Sequence, residues 1–161
     1  MNEVLLLIGG NLGKRDEVLA QARKLINDRI GDITDTSSVY ETAPWGFSSD
    51  KPFLNQVVKV KSNHLPHKIL QLTHQIEQQL GRKRSSGGYQ SRLIDIDILL
   101  IDGLEMHDKD LEIPHPRLHK RNFTMVPLAE IAGNWVHPVF NKKLSLMAEE
   151  CNDTHRVAVY E

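Results

Sequence analysis

Cysteine occurs once in the 161 residues, at Cys151, which excludes an intrachain disulfide and a cysteine-based zinc site. Cys151 itself reads as a small packed side chain. No apolar run approaches the ~18 residues that mark a membrane-spanning helix. The first run, residues 4–8, has no basic leader and is too short for a secretory signal. Neither sign of charge dominates: 20 Lys and Arg stand against 21 Asp and Glu, a net charge of −1. A long nucleic acid would find no broad basic field here, so any anion site must be local. Repeats, low-complexity tracts and linkers are missing, and composition excludes collagenous, coiled-coil and disordered chains. Neither H-E-x-x-H nor G-x-S-x-G occurs. The Gly-rich turn at residues 9–14 is one residue short of P-loop spacing and has Arg15 where a Ser or Thr should hold a metal. Covalent catalysis by a nucleophile and its base is therefore disfavoured. The expectation is one soluble, cytoplasmic domain over residues 1–161, monomeric, with small-molecule partners and neither nucleic acid nor membrane.

The apolar pattern gives the organisation. Residues 4–8 read as a buried strand that ends in Gly9-Gly10-Asn11-Leu12-Gly13. Val18, Leu19, Ala22, Leu25, Ile26 and Ile30 then recur at helical spacing until Gly31. Residues 33–40 and 53–61 read as strands, with a mobile loop between them at 42–52. Pro66 suits a first helical position, Ile69, Leu72, Ile76 and Leu80 share one face, and Gly81 stops that helix. Residues 93–101 are nearly all hydrocarbon apart from two aspartates, which predicts a central strand covered on both faces. The order βαββαβ is the ferredoxin-like α+β sandwich, a sheet with helices on one face. Short C-terminal additions follow: helices at 123–131 and 144–150 and a strand at 156–160.

The sharpest chemical signal is Arg92-Leu93-Ile94-Asp95-Ile96-Asp97-Ile98-Leu99. Side chains alternate along a strand, so Asp95 and Asp97 point the same way, roughly 6.6 Å apart at the backbone. Leu93, Leu99 and Ile101 are their expected companions on that face. Two carboxylates among apolar neighbours repel one another and lose solvation unless a cation sits between them, and Mg²⁺ is the natural hard cation for oxygen ligands. Just upstream, residues 81–92 contain Arg82, Lys83, Arg84 and Arg92, no acid, and the flexible Ser85-Ser86-Gly87-Gly88. Carboxylates for a metal beside guanidinium forks for phosphate are what a polyphosphate site requires. A proline-pinned segment, Pro114-His115-Pro116-Arg117-Leu118-His119-Lys120-Arg121, could grip the same phosphates. Thr42-Ala43-Pro44-Trp45-Gly46-Phe47, Phe53-Leu54-Asn55 and Phe123 supply aromatic faces and an amide suited to a flat heterocycle, or to an ordinary core. His64, His67, His74, His107, His137 and His155 read as structural or surface residues.

Together these residues resemble the 6-hydroxymethyl-7,8-dihydropterin pyrophosphokinase family of folate synthesis. The likeness runs from the first strand to about residue 128. R-x-x-D-x-D followed by two aliphatic residues is present at 92–99, Gly-x-Asn-x-Gly at 9–13, T-x-P-x-G at 42–46 and F-L-N at 53–55, followed by Glu77, Arg82, Pro114-His115, Arg121 and Phe123. The resemblance implies the ferredoxin-like fold and pyrophosphoryl transfer from ATP to the pterin hydroxymethyl group, with AMP leaving. Asp95 and Asp97 would carry two Mg²⁺ ions, and Arg82 and Arg92 would hold and stabilise the moving phosphates. Glu77, Arg84, Ile98, His115 and Arg121 would serve the nucleotide. Thr42, Ala43, Pro44, Trp45, Phe53, Asn55, Tyr89 and Phe123 would line the pterin pocket. Tyr89, Gln90, Ala43 and Trp45 depart from residues common in the family, which bears on how the pterin is enclosed. Two other readings stand beside this one: a magnesium-dependent phosphoryl or nucleotidyl transferase acting on another small alcohol, and a noncatalytic RNA-binding module. Against the module stand the near-neutral charge and the missing RNP1 aromatic pattern.

Overall fold

The computed structural model describes residues 1–42, 52–81 and 93–160. Its elements are β1 (Asn2–Gly10), α1 (Arg15–Arg29), β2 (Asp32–Thr36), β3 (Tyr40–Thr42), β4 (Phe53–Ser62), α2 (Pro66–Gln79), β5 (Asp95–Ile101), β6 (Met106–His107), β7 (Glu112–Ile113), α3 (Asn122–Ala132), α4 (Leu144–Glu149) and β8 (Val157–Val159), with a 3₁₀ turn at Leu118–Lys120. The main sheet runs β5-β1-β4-β3-β8, with β2 also paired to β4, and β6-β7 form a separate hairpin. All pairings in the main sheet are antiparallel.

Alternation along the strands sorts the core into two layers. On the first face Val4, Leu6, Ile8, Val58, Val60, Ile96 and Ile98 pack against Leu19, Ala22 and Ile26 of α1 and Ile69 and Ile76 of α2. Asp16 and Glu17 in the first turn of α1 suit the positive end of its dipole. Pro66 opens α2, and Gly81, at φ +94°, turns the chain away after it. On the second face Leu5, Leu7, Val57 and Leu99 meet Met125 and Leu128 of α3 and Leu144 and Met147 of α4. The C-terminal additions thus cover the side of the sheet that α1 and α2 leave open. None of the described helices is long and apolar enough to cross a membrane.

Three expectations change. The strand expected at 33–40 is two strands, β2 and β3, on different stretches of β4. Between them Ser37 turns inward: its N–H donates to Val57 O (2.9 Å) and its hydroxyl accepts from Val57 N–H (3.0 Å). A short polar side chain competes with the ladder for its own partners, and the strand divides there. β5 is not central: among the described strands it is at one end of the sheet, paired with β1 alone. It is apolar because both faces are covered. Its backbone is also met from outside the sheet, where Glu77 Oε2 accepts from Ile96 N–H (2.8 Å) and His115 N–H donates to Leu99 O (2.9 Å). Finally, the register shifts between Leu5 and Leu6, where Leu99 is the extra residue on β5. This bulge sends Ile101 into the first-face core, so Ile101 does not share a face with the aspartates.

Candidate active site

Strand register builds the floor of the site on the second face. Asp95 lies opposite Gly9, Gly9 opposite Asn55, and Asn55 opposite Tyr40. Directly opposed residues project to the same side, so these four form one row across four strands. One step along, Asp97 lies opposite Leu7; on the other flank, Phe53 lies opposite Thr42. Gly9 is needed in this row because a Cβ there would sit 2.2 Å from Asn55 Oδ1. The missing side chain is the space that the Asn55 amide fills, and Asn55 is only 6% exposed. Tyr40 donates its hydroxyl proton to Glu130 of α3. Burial first, then the hydrogen bond and charge of Glu130, push the Tyr40 pKa up to about 12, so the phenol stays protonated.

Asp95 and Asp97 are both half-buried and share this face, as the alternation requires. The intervening residue, Ile96, is fixed from both sides: its side chain is in the helix-side core and its N–H is held by Glu77. Among the described residues no group of three or more His, Cys, Asp or Glu side chains could form a metal cage. The half-buried carboxylate pair suits Mg²⁺, which binds through one or two carboxylates and takes its other oxygens from water and phosphate.

The second wall comes from residues 113–123. Leu118 is fully buried and anchors the segment, and Arg121 precedes α3 with its guanidinium 5.5 Å from the centre of the Phe123 ring. His115 lies where Asp95 and Arg121 both act on it. Burial, then the positive charges of Arg121 and Arg117, lower its pKa to about 4 against the opposing pull of Asp95 and Glu112. His115 Nδ1 accepts from Arg117 N–H (3.1 Å), so the neutral ring carries its proton on Nε2. His115 is therefore a neutral donor at physiological pH. The unfolded chain takes up this proton near pH 6.5 and the folded chain only near about 4, so the His115 contribution to stability is complete above pH 6.5 and declines as pH falls through that window. An NMR titration of the His115 ring should give a midpoint near about 4. A midpoint at the ordinary histidine value would contradict this environment.

The structure brings Asp95, Asp97, Asn55, Thr42 and Phe53 together on the sheet and places His115, Arg121 and Phe123 on the adjoining wall. Ala43, Pro44, Trp45, Arg82, Arg84, Tyr89 and Arg92 lie outside the described residues. Two of the residues expected to serve the nucleotide have their side chains turned away from the carboxylate face. Ile98 alternates onto the opposite face and is buried in the helix-side core, so its side chain does not reach the carboxylate face. Glu77 is 2% exposed and uses Oε2 on Ile96 N–H, so it anchors the strand that bears the aspartates. His119, grouped by sequence with the phosphate cluster, packs edge-on against Phe140, with ring centroids 4.8 Å apart. Tyr40, Glu130 and Asp153 were not legible as neighbours of the site, because their partners are distant in sequence.

Comparison with known proteins decides the family. The family model for 7,8-dihydro-6-hydroxymethylpterin-pyrophosphokinase matches residues 5–133. The chain belongs to that pyrophosphokinase family. It is 44% identical over 138 residues to 2-amino-4-hydroxy-6-hydroxymethyldihydropteridine pyrophosphokinase of Porphyromonas gingivalis, covering 84% of this chain and 93% of the relative. Identity is 39% over 131 residues to the Bacillus subtilis protein of the same name, covering 81% of this chain and 78% of the relative. Among solved structures, an HPPK-DHPS in complex with substrates superposes with a TM-score of 0.76 at 15% identity, over 92% of this chain and 43% of that one. The wild-type Plasmodium falciparum HPPK-DHPS with SDX-DHP gives 0.72 at 18% identity, over 93% and 43% respectively. This chain thus spans less than half of those two solved chains. The pyrophosphokinase fold they share is the one described above.

Proposed function

We propose that this chain transfers the pyrophosphoryl group of ATP to the hydroxymethyl oxygen of 6-hydroxymethyl-7,8-dihydropterin, in folate synthesis. The observation that carries the proposal is the shared sheet face, where Asp95 lies in one row with the buried Asn55 amide and Asp97 one step along, with His115 and Arg121 on the adjoining wall. In this reading Asn55, Thr42 and Phe53 orient the flat pterin, with Phe123 on the facing wall; Ala43, Pro44, Trp45 and Tyr89 complete the enclosure. Arg121 and the neutral Nε2–H of His115 bind phosphate oxygens, and Arg84 adds a further cation. Arg82 and Arg92 neutralise the charge that develops on the transferred group. Asp95 and Asp97 would hold two magnesium ions, which when bound offset phosphate charge and polarise the phosphorus.

The pterin oxygen attacks the β-phosphorus of ATP. A new O–P bond forms as the bond from that phosphorus to the α,β-bridging oxygen breaks, AMP departs, and the hydroxyl proton passes to solvent. Such a transfer depends on alignment and charge stabilisation, so the chain needs no nucleophile of its own. A single chain acting in the cytoplasm suffices for this reaction, and sizing is expected to give a monomer. With ATP, Mg²⁺ and the hydroxymethyl pterin, ³¹P NMR should show AMP and a pterin diphosphate, and no AMP when the pterin is omitted. ADP as the nucleotide product, or AMP released without pterin, would contradict the assignment.

A further inference from the structure

The family match ends at residue 133, yet residues 153–160 reach back to the Arg121–Phe123 wall and to the sheet edge at Thr42. At one end Asp153, whose side chain is 1% exposed, accepts from Asn122 N–H through Oδ2 (2.9 Å). Asn122 opens α3 and stands between Arg121 and Phe123. Its own amide Nδ2 donates back to Asp153 O and His155 O, so residue and segment are tied in both directions. Oδ1 of Asp153 accepts from His155 N–H (3.0 Å) and pairs with His155 Nδ1 (2.7 Å), which fixes the carboxylate rotamer. At the other end β8 adds to the outer edge of β3, with Val157 opposite Thr42 and Val159 opposite Tyr40. Tyr160 N–H donates to Val39 O (2.8 Å), and the Tyr160 ring lies 5.5 Å beneath the Arg15 guanidinium. That guanidinium bonds Glu41 Oε2 (3.3 Å) and Pro52 O (2.8 Å), on either side of the Thr42–Phe53 pair.

We propose that residues 153–160 form a brace that sets the spacing between the Arg121–Phe123 wall and the Thr42–Phe53 pair, with Asp153 as its positioning residue. The proposal rests on the function proposed above. A carboxylate on the first N–H of α3 satisfies a donor that no side chain within the helix caps. It therefore fixes where the helix starts, and the direction in which Arg121 and Phe123 leave it. Because the same short segment is hydrogen-bonded into the sheet edge, α3 cannot shift at that end without pulling on β3. A displacement of the helix start by a fraction of an ångström would misplace a nucleotide contact and a pterin contact together. That joint loss distinguishes a brace from a residue serving one ligand.

The test compares Asp153→Ala, Asp153→Asn and Asn122→Ala with the unaltered chain, reading kcat, KM for each substrate, the affinity for a nonhydrolysable ATP analogue with Mg²⁺, and thermal unfolding. Asp153→Ala should raise both KM values about tenfold or more while kcat changes less than about threefold. Asp153→Asn, which keeps one acceptor oxygen, and Asn122→Ala, which keeps the backbone donor, should each show a smaller joint rise, and these two carry the test should the alanine variant not fold. Loss of thermal stability with both KM values unchanged would overturn the brace, as would a rise confined to one substrate. An unaltered chain that forms no AMP would instead contradict the proposed function, so the two failures are told apart.

Discussion

Asp97→Ala is expected to lower kcat at least ~10³-fold, equivalent to about 4 kcal/mol of lost transition-state stabilisation. Asp95→Ala should do the same. Each substitution removes a carboxylate from the pair that the proposed function assigns to magnesium. The fold should tolerate both changes. The two side chains are half-buried on the strand face instead of filling the core, so neither substitution opens a core cavity. The peptide between them stays held by Glu77 and by the burial of Ile96. Turnover at saturating substrate, followed as AMP release, and a melting curve check this together. Activity within tenfold of the unaltered chain, in a variant that melts normally, would contradict the metal assignment.

Asn55→Ala is expected to lower kcat/KM for the pterin by about 10²-fold, or ~2.7 kcal/mol, and to leave the affinity for a nonhydrolysable ATP analogue unchanged. The Asn55 amide is buried beside Gly9, in the row that ends at Asp95. A pterin edge placed against it finds its hydrogen bonds already oriented. With alanine there, the edge of the ring would be desolvated with no partner, and that penalty is larger than the bond itself is worth. Gly9→Ala provides an independent route to the same result, since the added methyl would need the space of Asn55 Oδ1 and push the amide out of the row. Steady-state kinetics with the pterin varied, and calorimetry with the nucleotide analogue, separate the two ligands. Equal losses for both ligands in Asn55→Ala would show that Asn55 serves the sheet and not the pterin.

The fold was legible wherever a short apolar period decided it. The βαββαβ order of the main elements, the two helices on the first face, and the C-terminal α3, α4 and β8 follow from local pattern, whereas the β6–β7 hairpin, of two residues a strand, was too short to show one. The side shared by Asp95 and Asp97 followed from alternation alone. The errors have physical causes. Burial on both faces looks alike for a central strand and for an end strand shielded by helices on each side, so β5 reads as central. Alternation fails at a bulge, which no residue near Leu99 announces, and Ile101 changes face there. Ser37 divides β2 from β3 through a hydroxyl whose partner, Val57, is twenty residues away. The same distance effect concealed Glu77 on Ile96 N–H and Asp153 on Asn122 N–H. A single buried acid in a helix or a tail carries no mark of the backbone donor it will meet, whereas two acids alternating on an apolar strand do signal their chemistry.

The central claim is that the Asp95–Asp97 pair holds the metal that accompanies the triphosphate. Paramagnetic Mn²⁺ binding, measured by electron spin resonance in the presence of a nonhydrolysable ATP analogue, tests it most directly. Two ions per chain are predicted for the unaltered protein, with at least one lost in Asp95→Asn and in Asp97→Asn while each variant keeps its fold. Undiminished Mn²⁺ binding in both variants would contradict the account.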